Sequence, residues 1–145
     1  MVVTMRTTLD VIAGYLAASG WCTGGAVIGE PRAAPSGLSG AVFMSRAEHP
    51  STTLTGTIER RYVTIRLYID AMQEPLENTE YDLDEATSQV VSDLLGDFDL
   101  GSSVRTIDVT LMTVEYGFQT VGTTLFRIAD VIVPMIVDDS ATFVA

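Results

Sequence analysis

Lysine is missing altogether from this 145-residue chain, and cysteine, histidine and tryptophan occur once each. Without lysine there is no Schiff-base amine, no lysine general base and no lysine contact in a phosphate loop. One cysteine excludes an intramolecular disulfide framework and a cysteine-rich zinc site. One histidine excludes multi-histidine metal centres and triads that need a second histidine. Long apolar runs are also lacking. The longest, residues 131–137, is broken by Pro134 and falls far short of the roughly 20 residues a membrane helix needs. The stretch LDVIAGYLAA carries Asp10 inside it and only Arg6 before it, and Trp21 occupies the place before Cys22 where a lipoprotein cleavage site wants a small residue. It reads as part of a fold rather than a leader. No repeat or biased tract supports a fibrous or low-complexity chain.

What is present suits a single globular domain over residues 1–145. The composition is 47% hydrophobic and 19% charged, and a chain this long buries roughly 68–70% of its unfolded surface. Charge is the strongest compositional signal. Nineteen acidic residues against eight arginines give a formal net charge of −11. Arginine-only basicity fits GC-rich coding. The first third is balanced, with Asp10, Glu30 and Glu48 against Arg6, Arg32 and Arg46, whereas residues 70–99 hold ten acids and no arginine. Phosphate backbones need neutralising cations, so the charge balance argues against sequence-independent DNA binding by the isolated chain.

Periodicity orders the elements. Leu9, Ile12, Ala13 and Leu16 fall on one helical stripe, and Ser19-Gly20 is a stop. Residues 26–28 and 41–44 read as short strands separated by a Pro/Gly loop. The polar stretch EHPSTTLTGT at 48–57 reads either as a mobile loop (47–57 at its widest) or as the tip of a long hairpin. A long strand over 58–70 buries Val63, Ile65, Leu67 and Ile69 and turns Tyr62, Thr64, Arg66 and Tyr68 outward. The segment 73–81 is a connection, and Asp82-x-x-Glu85 is a capping box. It opens a helix with Leu83, Ala86, Val90, Val91, Leu94 and Leu95 on one stripe. Residues 105–114 read as a strand, 116–118 as a turn and 124–137 as the last strand, with Pro134 placing its later part at an edge or bulge. The expected fold is α+β: a two-layer sandwich, mostly antiparallel, with two helices on one face and the order α-β-β-β-α-β-β.

No enzyme signature accompanies this pattern. His49 and the hydroxyls of residues 51–53 sit in the polar stretch without forming a nucleophile–base pair. Cys22 follows a helix end beside Trp21 and reads as buried packing. The Gly24-Gly25 turn lacks the strand and lysine of a phosphate loop. Asp82, Asp84 and Glu85, or Asp97 and Asp99, do not match a twelve-residue calcium loop. Catalytic, cofactor and metal sites are therefore expected to be absent, although sequence singles out no carboxylate pair for or against acid–base work.

The strand RRYVTIRLYID (60–70), the acidic connection, the helix 83–95, LGSSVRTIDVTL (100–111) and LFRIADVIVPMIV (125–137) together resemble the tail terminator proteins of long-tailed bacteriophages. The resemblance runs from about Thr7 to Val137 and rests on element order at this length rather than on any one motif. It implies a structural virion protein at the tail–neck junction, assembled in the host cytoplasm. Such a protein forms a hexameric ring that caps the tail tube, meets a head-completion (stopper) protein and lets DNA pass through its centre. No membrane partner is implied.

Charge joins that expectation, because an acidic inner surface repels phosphate and keeps a DNA passage slippery. The candidate channel residues are Asp70, Glu74, Glu77, Glu80, Asp82, Asp84 and Asp108; the alternative is that these acids only solubilise the exterior. Glu48, His49, Thr52, Thr53, Leu54 and Thr55 are the candidate contacts to a neighbouring subunit or to the tube, since threonine-rich extended chain suits strand pairing. Two rival readings stay open: another ring-forming tail tube or neck protein, and a small carboxylate-dependent enzyme or ligand-binding domain.

Overall fold

The computed structural model describes residues 5–31, 36–53, 56–72, 75–96, 106–108 and 111–138. Two helices, α1 (Arg6–Ala18) and α2 (Glu77–Gly96), cover one face of a six-stranded sheet. The strands are β1 (Ala26–Ile28), β2 (Ser39–Thr53), β3 (Gly56–Asp70), β4 (Thr106–Ile107), β5 (Thr113–Val121) and β6 (Thr124–Asp138). The order across the sheet is β1-β2-β3-β6, after which both β4 and β5 pair with the far side of β6. Among the described strand pairs only β1–β2 is parallel. This is the expected α+β sandwich with both helices on one face. Among the described residues no helix is long and apolar enough to cross a membrane.

β3 is the spine because its alternation of apolar and polar residues suits a two-sided sheet. Val63, Ile65, Leu67 and Ile69 point into the helix-covered core, where they meet Val131, Val133 and Met135 of β6, Ile12 and Leu16 of α1, and Leu83, Ala86, Val90 and Leu94 of α2. α1 lies over β1 and β2, whereas α2 lies over β3 and β6. The opposite face is not bare, contrary to the outward placement expected for Tyr68. Tyr68 is 1% exposed and packs edge-on against Phe126, with ring centroids 5.8 Å apart. Ala41, Val121 and Ile128 complete this smaller second core.

Several boundaries differ from expectation. The 41–44 strand is one end of β2, which continues through the polar stretch to Thr53 and pairs there with Gly56 at the start of β3, as in the hairpin alternative; residues 54 and 55 lie outside the described residues. Alternation is hidden there because the register shifts between Met44 and Arg46 and again between Glu48 and Ser51, and each extra residue resets the period of two. α2 starts at Glu77, not at the Asp82–Glu85 box. Pro75 precedes its first turn, Thr79 is buried, and the Thr79 hydroxyl donates to the Asp70 carbonyl at 3.3 Å. Glu77 and Glu80 in that turn complement the helix dipole.

The expected 105–114 strand is divided between β4 and β5, and residues 116–118 lie in mid-strand rather than in a turn. The turn is Gly122-Thr123, with Gly122 at φ +63°, a conformation glycine adopts freely in two-residue hairpins. β6 is interior rather than at an edge. Pro134, which has no N–H to give, sits where its neighbour changes from β5 to β4, and its carbonyl accepts the Asp108 N–H at 2.8 Å.

Candidate interaction surfaces

α2 displays six carboxylates (Glu77, Glu80, Asp82, Asp84, Glu85 and Asp93) and no basic residue. Its apolar stripe faces the sheet, and the acids lie on both flanks of the outward face: Asp82 and Glu85 border a cleft with Trp21, Glu80 and Asp84 a hollow beside Arg127, and Asp93 is half-buried. The fold brings Asp70, Glu77, Glu80, Asp82 and Asp84 together around the start of this helix. Asp70 closes β3 and accepts the Met72 N–H at 2.9 Å. Asp70, Asp82 and Glu85 also line a cleft of about 500 Å³ whose aromatic wall is Trp21. Glu74 lies outside the described residues. Asp108 is apart from the group, near the opposite end of β6, where it pairs with Arg60 at 3.5 Å. Among the described residues no three histidine, cysteine or acidic side chains converge as a metal-holding group.

The second candidate set lies on the β2–β3 hairpin. Glu48 pairs with Arg46 at 2.8 Å and accepts from the Tyr62 hydroxyl at 3.5 Å. His49, Thr52 and Thr53 belong to β2, with Thr52 opposite Thr57. Leu54 and Thr55 lie outside the described residues. Beyond Val42, β2 has no neighbour on its outer side among the described residues, so the hairpin offers open backbone for pairing.

Two clusters were not foreseen from sequence. On the face away from the helices, the Arg66 guanidinium grips Asp130 through two hydrogen bonds of 2.7 and 2.9 Å, donates to Gln119 at 2.8 Å and lies over the Phe43 ring at 5.2 Å. It joins β2, β3, β5 and β6. Asp130 holds Arg66 more firmly protonated than usual, against the opposing effect of burial. On the helix-covered side, Arg127 pairs with Glu80 at 2.7 Å, donates to the Gly117 carbonyl at 3.0 Å and stacks on Phe118 (4.6 Å) and Tyr116 (5.7 Å). The period-two run Val114, Tyr116, Phe118, Thr120 would have revealed this strand, had Gly117 not been taken as turn chemistry.

Cys22 is buried in the core with its thiol donating to the Gly25 carbonyl at 3.2 Å, and burial pushes the thiol above its ordinary range. That matches the packing role expected of it and disfavours the reactive thiolate. The described surface thus carries an acidic helix, an outer strand edge without a neighbour beyond Val42, and an aromatic cluster at the β5 edge. In comparisons with known proteins, neither a family model nor a curated sequence matches this chain.

Proposed function

We propose that this protein is a ring-forming structural component of a phage tail, a tail-terminator-like collar that caps the tail tube, meets the head-completion protein and surrounds a DNA passage. The observation that carries the reading is the element order on one open sheet. A helix, three strands and a second helix follow one another in the order the resemblance implies, with three closing strands in place of its two, and both sheet edges lack a neighbour within the described chain. Exposed edges are a hazard that a closed ring removes, because each subunit supplies the partner its neighbour lacks. In this reading the carboxylates of the Trp21 cleft, Asp70, Asp82 and Glu85, face the passage, and the β2–β3 hairpin tip contacts the tube.

The test is the mass of the purified protein by light scattering and native mass spectrometry, alone and after mixing with tail tubes. A species of about six chains that adds to tube ends and stops their growth is the expected result. A protein that stays a single chain at every concentration, or that turns over a small molecule in the Trp21 cleft, would overturn the reading. Deleting residues 47–57 is expected to preserve the fold and abolish tube capping.

A further inference from the structure

The cleft beside α2 combines a fixed aromatic wall with carboxylates from two elements. Trp21 stands in the connection from α1 to β1, where the Cys22 N–H donates to the Ser19 carbonyl at 3.2 Å and the Trp21 carbonyl accepts from the Thr23 N–H at 3.0 Å. Its side chain packs against the main core, which also holds the buried Cys22. The indole N–H is buried without a hydrogen-bond partner among the described residues. The part of the ring that borders the cleft is therefore carbon, and Leu38 adds to this apolar wall.

Carboxylates supply the charge. Asp70 ends β3, and Asp82 and Glu85, three positions apart on α2, are neighbours on the helix surface. All three occupy exposed positions, and among the described residues no basic side chain lines the cleft. Acids alone would draw any cation, but two features narrow the choice. Among the described residues these carboxylates do not gather as a metal-holding group, so a compact ion does not touch them together, whereas a broad cation bridges them. The carbon surface of Trp21 favours a cation with a planar, weakly hydrated head and an alkyl stem. The volume of about 500 Å³ lies within the usual range of small-ligand sites.

We propose that this cleft binds an alkyl guanidinium, carried either by a free solute or by an arginine of another protein. The head stacks on Trp21 and donates to Asp82 and Glu85, while the stem lies along Leu38. A guanidinium suits the cleft better than an ammonium does, because its donors lie in one plane and reach several carboxylate oxygens while its face meets the ring. The site binds without chemistry: no bond forms or breaks in the ligand. The inference rests on the lining of the cleft and stands apart from the collar, which is tested by assembled mass.

The experiment titrates the purified protein with n-butylguanidinium, n-butylammonium and the neutral N-butylurea. Binding is followed by calorimetry and by the fluorescence of Trp21, the chain's single tryptophan. Butylguanidinium is expected to change the Trp21 emission and to bind about tenfold more tightly than butylammonium, and butylurea to leave the emission unchanged. Asp82→Asn with Glu85→Gln, both at exposed positions, is expected to weaken binding by about tenfold or more while the circular dichroism spectrum is retained. Asp84→Asn removes an acid of the same helix that borders the Arg127 hollow instead, and is expected to leave affinity within about twofold. An equal loss from Asp84→Asn reports long-range attraction alone and overturns the site. So does the absence of binding, or equal affinity for butylguanidinium and either of the other two compounds. A capped Gly-Arg-Gly peptide separates the two sources: binding tighter than that of butylguanidinium assigns the cleft to an arginine of another protein, weaker binding assigns it to a free solute, and both uphold the guanidinium site.

Discussion

Arg66 shows how one side chain fixes the pairing of several strands. Its partner Asp130 lies directly opposite in the β3–β6 register, and both side chains are less than one-fifth exposed. Removing the carboxylate leaves a poorly solvated guanidinium, whereas replacing both groups by apolar ones removes the problem. Asp130→Ala is accordingly expected to lower stability by about 2 kcal/mol, read as a shift of the urea midpoint, with Arg66→Met plus Asp130→Leu recovering most of the loss. Tyr68 makes the opposite case. Its hydroxyl is buried with no hydrogen-bond partner among the described residues, and burial raises its phenol above the ordinary value, with Arg66 opposing. Below about pH 10 the phenol is protonated in both states. Above that the unfolded chain releases the proton while the folded one keeps it, so stability falls as pH rises. Tyr68→Phe is expected to leave stability at pH 7 within about 1 kcal/mol of wild type or better, and to flatten the alkaline decline in melts from pH 9 to 11.

Within the elements, α2 separates burial from mere apolarity. Leu83 is 0% exposed and Leu95 is 52% exposed, although both belong to the stripe read from sequence. Leu83→Ala is expected to destabilise by about 3 kcal/mol and Leu95→Ala by less than about 0.5 kcal/mol, measured by chemical denaturation. The elements whose periodicity runs unbroken, α1, β3 and β6, were legible in the sequence, as were β1 and the stop at Ser19. β2 was legible only up to its first register shift, because each inserted residue reverses which side chains face inward. β5 was lost to Gly117, a residue that marks a turn as readily as a strand. The start of α2 was missed because its first turn is held by Pro75 and by a tertiary hydrogen bond from Thr79 to the end of β3, which no local pattern displays. Of the candidate sites, the acidity of α2 was legible as composition. The Arg127 and Arg66 clusters were not, since their members lie up to 64 positions apart.

For the whole molecule, the net charge of −11 sets the behaviour toward nucleic acid. The assembled protein is expected not to retain duplex DNA at about 50 mM salt, and Asp82→Arg with Glu85→Arg to retain it in a strongly salt-dependent way. Retention of linear duplex but not of closed circles, read by gel shift, is the signature of a passage; equal retention of both would place these acids on the outside. Finally, β6 supplies the second neighbour for the whole of β3 between Ile58 and Asp70. A nascent chain emerging from the ribosome therefore holds its central strand half-dressed until residue 138 has been made. The core cannot close earlier, and a translation product cut short after α2 would display an unpaired ladder more than ten residues long. Synthesis itself thus acts as a timer, delaying the appearance of finished edges until each polypeptide is ready to meet the next.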